Sequence, residues 1–510
     1  MQRAQPWILA ATILASSMVF IDGTVVNIAL PVLQLDLNAT ITQVQWVVQA
    51  YALFLAALIL VGGSLGDHFG RRRIFIIGVM VFAGASMLCG IAHNVNQLIA
   101  ARALQGIASA LLTPGSLSIL TTSFGPDERG RAIGTWSGFT AITAAAGPAL
   151  GGWIVQHASW RWIFFINIPL AILVLAFAWR WVPESHDAEP VHHIDWGGAL
   201  LATTGLAAIV YGFMAEVGSG WTNPVVVAAL AVGVLLLVAF VWVEARARAP
   251  MLPLQLFRSR NFSAVNLLTF LLYAALGGVL FFLPFNLILV QHYTPTAAGL
   301  ALLPFIALMF VLSPWSGGLV RSVGPKLPLV IGPLVAGLGL GSFALIDMGG
   351  SYWTTFFPCV LALGLGLAIT VAPLTTTVMS SVDPDHVGVA SGVNNAVSRT
   401  GGLLAVAVLN LVVISVFNQS LDHGLAALKA PPTVVAAVNA QRAKLAAATP
   451  PTNISPTLRE RVQHEITEAY IAGFRWAMLI GAGLALLSSV AAALWIEPLR
   501  PTSNNPARRA

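Results

Sequence analysis

Residues 21–31, with the sequence IDGTVVNIALP, place a carboxyl group inside an otherwise apolar run. The run starts near Trp7 and is long enough to cross a bilayer as a helix. An acid near the middle of a membrane helix costs roughly 2.5–3.5 kcal/mol on insertion scales, so a chain that keeps one generally uses it. We therefore expect the other helices to enclose and present Asp22, which lies about nine residues before the end of this run.

The composition indicates a polytopic membrane protein. Of the 510 residues, 57% are hydrophobic and only 9% are charged, whereas about 25% of the residues of a soluble domain are charged. The mean hydropathy is +0.83. We attribute the net charge of +6 to cytoplasmic loops rather than to a nucleic-acid partner.

The hydropathy pattern predicts an all-α protein with fourteen transmembrane helices. Backbone groups in lipid must form their hydrogen bonds internally, so each apolar span is expected to be a helix. The predicted spans are 7–31, 42–65, 74–92, 97–120, 131–155, 161–182, 196–216, 224–244, 262–290, 296–320, 327–347, 353–380, 390–417 and 471–496.

The distribution of basic residues predicts the orientation. With a cytoplasmic N-terminus, most Lys and Arg residues fall in inner loops, and the short outer loops hold only Arg161. The long segment 418–470 also carries basic residues, but long loops escape this rule. An even number of spans then puts both termini in the cytoplasm, and we expect a multi-pass protein of the cell (inner) membrane.

Two pairs of similar segments predict an internal repeat. Residues 63–72 match residues 317–326 at an offset of 254, and residues 126–134 match residues 384–392 at an offset of 258. Two six-helix halves related in this way are typical of transporters that bind substrate between the halves near the membrane midplane.

The repeat divides the chain into three predicted regions. They are an N-terminal six-helix bundle at 1–182, a linker with two inserted helices at 183–260, and a C-terminal six-helix bundle at 261–510. The last region includes a long outer loop at 418–470 and a cytoplasmic tail at 497–510. Within the outer loop, the spacing of Leu458, Val462, Ile466 and Ala469 predicts an amphipathic helix that leads into the last span.

The segment 63–73 joins the second and third spans and is a candidate conformational switch. Its glycines permit a tight turn and a close approach of helices, and Asp67 can accept hydrogen bonds from a neighbouring basic side chain or helix N-terminus. The alternative is that its arginines only anchor the topology. The residues assigned to the predicted switch are Gly63, Asp67, Gly70, Arg71 and Arg131.

Residues 63–73 resemble the loop signature of the major facilitator superfamily. Residues 21–31, residues 102–106 and Gly138 with residues 147–152 resemble the first-, fourth- and fifth-helix motifs of its fourteen-helix exporters. The chain is thereby identified as a member of drug:proton antiporter family 2, and the resemblance covers nearly its whole length. The resemblance implies two six-helix bundles with two inserted helices, proton coupling and lipophilic substrates.

Asp22 and Arg102 form the predicted proton-coupling pair. Their depths from the outer ends of their spans differ by only roughly 6 Å at 1.5 Å per residue, so they can share one level of the membrane. An isolated buried charge of either sign is costly, which gives each residue a reason to pair with the other. The alternative is that either charge pairs locally with Gln105, Asn27 or backbone carbonyls.

The predicted antiporter motif is a stripe of glycines in the fifth span. Its spacing suggests that one helix face stays bare, and a proline kinks the helix. The stripe is interpreted as a seal against proton leak, with ordinary helix packing as the alternative. The motif residues are Gly138, Gly147, Pro148, Gly151 and Gly152.

The predicted substrate cavity is polar and poor in acids. Arg399 is a second intramembrane charge, either facing the cavity or packing near the inner leaflet, and spans 9–14 carry no acid at mid-depth. This disfavours polyvalent cations and fits neutral, monocationic or anionic lipophiles. Packing or lipid contact is the alternative for each cavity candidate. The candidates are Asn27, Gln49, Tyr51, Gln105, Tyr273, Asn286, Asn394 and Arg399.

The sequence therefore predicts a proton-coupled exporter of lipophilic drugs or toxic small molecules. A dedicated exporter of one metabolite or lipid is the alternative within transport. An enzyme is not expected, because the sequence offers no metal triad, nucleophile–base pair or phosphate loop, and the repeat disfavours a channel. The expected partners are the substrate, protons, membrane lipids and, optionally, an outer-membrane efflux protein; apart from protons, no cofactor or metal is expected.

Overall fold

The computed structural model describes residues 4–185, 195–247, 250, 252–383 and 387–497. At a few positions inside helices the side chains are not described, among them Arg131 and Gly138. The predicted roles of these two residues therefore lie outside the described residues, as do most of the linker after the first half and the C-terminal tail.

The described residues form α-helices joined by short turns, without a β-strand. The helices are α1 (Gln5–Asp36), α2 (Ile41–Phe69), α3 (Arg71–Gly90), α4 (Val95–Ser123), α5 (Pro126–His157), α6 (Trp162–Phe165), α7 (Asn167–Trp181), α8 (Trp196–Ser219), α9 (Pro224–Glu244), α10 (Arg260–Phe285), α11 (Pro295–Leu300), α12 (Leu303–Val323), α13 (Lys326–Phe343), α14 (Phe356–Ser380), α15 (Val387–Ala427), α16 (Pro432–Asn439) and α17 (Pro456–Trp495).

Polar side chains cap the N-terminal ends of several of these helices. The Thr40 side chain accepts a hydrogen bond from the backbone of Gln43, whose own side chain accepts from the Thr40 backbone. Asn94 caps α4 and Ser455 caps α17 through similar side-chain bonds. Each cap satisfies an N–H group that the first helical turn leaves without a partner.

The all-helical fold with many membrane spans is confirmed. Among the described residues, 13 segments are long and apolar enough to cross a membrane. The remaining predicted span, 131–155, coincides with α5, where several side chains are not described. Two predicted spans are interrupted: residues 161–182 comprise α6 and α7, and residues 296–320 comprise α11 and α12.

The packing of the first six spans recurs in the last six. In the first half, α1 contacts α4, α5 and α7, and α4 contacts α2 and α3. In the second half, α10 contacts α14, α15 and α17, and α14 contacts α12 and α13. The same neighbours in the same order are what a parallel repeat of a six-helix unit produces.

The inserted helices α8 and α9 pack chiefly against each other. The α8 helix also contacts α2 and α15, through an apolar cluster that includes Leu53, Met214 and Leu403. Little of the α9 span is buried within the protein. The pair therefore covers the seam between the two halves and leaves α9 to face lipid.

A small folded cap lies at the end of the molecule that holds residues 418–470, which we call the outer side. The apolar side chains of Leu425, Val438 and Ile466 are buried in it, and Asp422 pairs with Arg442. The predicted amphipathic helix is confirmed, with Val462, Ile466 and Ala469 buried. It is continuous with the last span in the 40-residue helix α17.

The two halves are hydrogen-bonded to each other on the outer side. Gln34 of α1 donates to the Lys444 carbonyl of the cap at 3.1 Å, and Gln49 of α2 donates to the Leu403 carbonyl of α15 at 2.9 Å. Thr296 of α11 bonds to Gln156 and to the Gly152 carbonyl of α5. These bonds join the two halves on the outer side, so this conformation is closed on that side.

Candidate functional site

Asp22 and Arg102 form an ion pair in the interior of the first half, as the sequence predicts. Asp22 is 0% exposed and Arg102 is 1% exposed. The Arg102 guanidinium also donates to Gln105 at 2.7 Å and to the Val47 carbonyl at 3.1 Å. Arg102 therefore contacts both Asp22 and the local partner Gln105. The other local candidate, Asn27, is bonded elsewhere, because its amide donates to the Gly23 carbonyl at 3.4 Å.

Gln105, which the sequence analysis names as a local partner, and Asn167, which it missed, complete the environment of Asp22. Gln105 donates to one Asp22 oxygen at 2.8 Å, and Asn167 at the start of α7 donates to the same oxygen at 3.4 Å. Asn167 also donates to Ser86 of α3 at 3.0 Å. A lone asparagine in the apolar span 161–182 was the signal that could have identified Asn167.

Tyr51 connects the ion pair to the seam between the halves. The Arg102 guanidinium carbon lies 4.2 Å from the centre of the Tyr51 ring, an arrangement that favours a cation. The Tyr51 hydroxyl donates to the Val19 carbonyl at 3.4 Å and accepts from Ser109 at 3.2 Å. Tyr51 is only 5% exposed, so it is part of the buried network in this conformation and not an open cavity wall.

Arg399 on α15 lies on the other side of the seam. Tyr51 and Tyr273 lie near it, and its Nε is buried without a hydrogen-bond partner among the described residues. Arg399 and Tyr273 are both half-buried. The structure thus brings Arg399 to the seam, which supports the first of its two predicted placements.

The remaining predicted cavity residues have different surroundings. Asn394 donates to Asn266 at 3.1 Å and to Thr269 at 2.8 Å, which ties α15 to α10. Gln49 uses its amide nitrogen on α15 but keeps an unpaired oxygen. Asn286 is buried at the start of the π-helical turn Asn286–Val290, and neither of its side-chain amide atoms has a partner among the described residues.

The glycines of α5 face two different neighbours, so the prediction of one bare helix face is wrong. A Cβ on Gly147 would overlap Thr24, and one on Gly151 would overlap Val25, so these two glycines seat α5 on α1. A Cβ on Gly152 would overlap the Pro295 carbonyl of α11. The cause is helical geometry, because positions 147 and 151 differ by about 40° around the helix and positions 147 and 152 by about 140°.

Pro148 belongs to the second of these faces. A Cβ on Gly299 of α11 would overlap the Pro148 carbonyl. The backbones of α5 and α11 are therefore in direct contact at Gly152 and Gly299, across the two halves and on the outer side. Small residues allow such close approach of helices in a membrane.

The segment 63–73 forms a tight corner. Gly70 has a φ of +106°, which side-chain-bearing residues rarely adopt. Asp67 at the end of α2 is bonded to Arg71 at the start of α3 at 2.8 Å. Gly63 has only ordinary contacts with Pro114, while the neighbouring Gly62, missed by the sequence reasoning, packs onto the Ala110 carbonyl of α4.

This corner is fastened to the segment that follows α7. The Arg71 backbone donates to the Ser185 carbonyl at 2.8 Å, and the Arg72 backbone donates to the Glu184 carboxylate at 3.0 Å. The Arg72 side chain donates to the Trp179 carbonyl at 2.7 Å. A movement of α2 and α3 relative to α7 must therefore break or stretch these bonds. The corner is for this reason a suitable place for a conformational switch.

We expect Asp67→Asn to lower turnover by up to roughly 5-fold without preventing insertion, because a partly exposed ion pair contributes about 0.2–1 kcal/mol. Transport rate per inserted molecule is the measurement. Asp347→Asn is the matched control, because Asp347 also forms an ion pair with an arginine, Arg475, but lies outside this corner with its side chain 73% exposed. Equal rates for Asp67→Asn and the unsubstituted protein would leave this corner with only a topological role.

The family model of the Major Facilitator Superfamily matches residues 12–406. The chain belongs to the major facilitator superfamily. A bacterial homologue of the lysosomal transporter Spinster, in an inward-facing and unoccupied conformation, has a TM-score of 0.65 at 17% identity, covering 96% of this chain and 98% of that one. The inward-open xylose transporter XylE from E. coli has a TM-score of 0.59 at 12% identity, covering 97% of each chain.

The curated relatives of this superfamily member include resistance and export proteins. It is 32% identical to the tetracenomycin C resistance and export protein of Streptomyces glaucescens, over 99% of this chain and 94% of that protein. It is 38% identical to the puromycin resistance protein of Streptomyces alboniger, over 82% of this chain and 84% of that protein.

Proposed function

We propose that this major facilitator exports lipophilic small molecules out of the cell in exchange for protons, by alternating access. The observation that carries the proposal is the fully buried ion pair of Asp22 and Arg102 beside the seam between the two halves. The Asp22 carboxylate can bind and release a proton in this position. The buried Arg102 guanidinium would change partners each time Asp22 does so. The resistance and export proteins among the relatives support the direction of transport.

The proposed cycle begins from the conformation closed on the outer side. Here Asp22 is ionised and is held by Arg102, Gln105 and Asn167. When the site opens outward, Asp22 takes up a proton as substrate leaves, and the pair with Arg102 is weakened. When the site faces inward again, the proton is released and the pair reforms.

Two sets of contacts would have to change during this cycle. The outer bonds of Gln34, Gln49 and Thr296 to the opposite half would open to release substrate. The corner at Asp67 and Arg71, on the inner side, would close or rearrange at the same time. The orientation with both termini in the cytoplasm is part of this proposal, and an outer-membrane efflux partner stays a prediction.

The test is transport by purified protein in proteoliposomes. With a lipophilic fluorophore and an imposed pH gradient, we expect accumulation against the substrate gradient, accompanied by counterflow of protons that a pH-sensitive dye reports. Collapse of the pH gradient with a protonophore should stop accumulation. Accumulation that persists without the gradient would contradict proton coupling.

The range of substrates separates a multidrug exporter from the alternative of a dedicated exporter. Several unrelated lipophiles should compete with one another for transport if the cavity is promiscuous. Competition by a single chemical type would favour a dedicated exporter of one metabolite or lipid, with the same coupling.

A further inference from the structure

Charge at the seam between the halves is not balanced. Asp22 is committed to Arg102, with Gln105 and Asn167 as its other donors. Arg399, on the opposite half, has no ion-pair or hydrogen-bond partner among the described residues, and its Nε is buried and unsatisfied there. This leaves one uncompensated positive charge beside the substrate path.

Among the described residues, no acid forms an ion pair with Arg399. Asp36 is at the outer end of α1, where it pairs with Arg161 and Trp160. Glu216 lies near the end of α8 and Glu244 is the last residue of α9, where it accepts from the Leu252 backbone. An intramembrane cation without an acid normally pairs, lines a cavity or marks a ligand pathway.

We propose that Arg399 binds the anionic group of a lipophilic substrate, so that the substrate class includes lipophilic carboxylates; this inference rests on the transport function proposed above. A guanidinium presents donors in a planar fork that suits a carboxylate. Tyr273, half-buried beside it, adds a hydroxyl donor. On α1, a Cβ on Gly23 would meet nothing within 4 Å, so the helix leaves open space one residue away from Asp22.

The position of Arg399 also links anion binding to the proton site. Tyr51 lies near Arg399, and its ring centre is 4.2 Å from the guanidinium carbon of Arg102. An anion that neutralises Arg399 would reduce repulsion between the two cations across Tyr51. A proton that moves inward and an anion that moves outward both make the inside of the membrane more positive. An inside-negative membrane potential would therefore also drive the export of an anion.

The experiment compares three probes with one apolar body, namely pyrenebutyrate, pyrenebutanol and pyrenebutylamine. Binding to the full-length protein in nanodiscs is measured by fluorescence, with protein-free nanodiscs subtracted. We expect the acid to bind roughly 10- to 100-fold more tightly than the amine, as for a charge-assisted hydrogen-bonded pair. Arg399→Gln should remove this preference and change the affinity for the alcohol less than about 2-fold.

Two further variants make the result interpretable. Arg399→Lys keeps the charge and should retain part of the preference, which also covers the case that Arg399→Gln does not fold. Arg475→Gln is the matched control, because Arg475 lies on the outer surface with Asp347, and it should leave all three affinities unchanged.

The outcomes separate this inference from the function on which it rests. If the protein exports pyrenebutanol under a pH gradient but shows no acid preference, or if Arg399→Gln keeps that preference, the inference is wrong and the exporter function stands. If Arg399→Gln alters proton counterflow but not the acid preference, Arg399 belongs to the proton site instead. Binding of none of the three probes would overturn the inference, and the transport experiment with a pH gradient would then decide the exporter function independently.

Discussion

Asp22→Asn is expected to abolish proton-driven accumulation of substrate, by on the order of 100-fold, while downhill exchange continues. The amide occupies the same volume and can keep its bonds to Gln105 and Asn167, but it cannot take up and release a proton. The proton is thereby uncoupled from the movement of the halves. The measurement is accumulation in proteoliposomes with and without a pH gradient, together with exchange of labelled substrate at equal pH.

The buried arginine complicates this variant in a predictable way. Removal of one partner of a buried ion pair costs about 3–5 kcal/mol, because the other charge is left uncompensated. The double variant Asp22→Asn with Arg102→Gln removes both charges and should insert more readily than the single variant, still without coupling. Asp22→Glu should retain some coupled activity.

Asp36→Asn is the matched control for the same helix. Asp36 ends α1, where it pairs with Arg161, and half of its side chain is exposed. Its substitution should leave coupling intact. The proposed role of Asp22 is wrong if Asp22→Asn still concentrates substrate against its gradient and still moves protons.

The central ion pair could be predicted from the sequence because intramembrane charges are rare. Asp22 and Arg102 each interrupt an apolar span at a similar depth, and the cost of an isolated charge gives both a reason to meet. The repeat of two halves was predictable for a related reason, since loop motifs keep their order at a nearly constant offset. Both inferences depend on features that hydropathy makes conspicuous.

Other parts of the site depend on geometry that hydropathy does not record. Asn167 reaches Asp22 because a break between α6 and α7 directs the start of α7 toward α1, and the sequence showed only one long apolar span there. Gln34 bonds to the Lys444 carbonyl, 410 residues away in the chain, which no local pattern could predict. The division of the α5 glycines between α1 and α11 was available from helical angles, but the predicted single stripe overlooked it.

Gly152→Leu is expected to shift the protein from the outward-closed to the outward-open conformation, by roughly 5- to 150-fold in the equilibrium between them. The reason is that Gly152 meets the Pro295 backbone carbonyl of the opposite half, and a backbone atom cannot rotate away as a side chain can. The added isobutyl group would therefore hold α5 and α11 apart on the outer side. Export should fall roughly 10-fold as a result, because the inward-facing state is populated less often.

Distances between pairs of spin labels are the direct measurement for this variant. Labels at Asn94 and Ser351 report the outer ends of the two halves, and labels at Thr122 and Ser322 report the inner ends; all four positions are exposed. The outer distance should lengthen and the inner distance should shorten in Gly152→Leu.

Gly84→Leu supplies the matched control, because a Cβ on this exposed glycine of α3 would meet nothing within 4 Å. The same added volume there should change neither distance nor the export rate. If Gly152→Leu gives the distances of the unsubstituted protein, the contact between α5 and α11 does not govern outer closure. If the outer side opens while proton-coupled export continues at the normal rate, closure at this contact is not a step of the transport cycle.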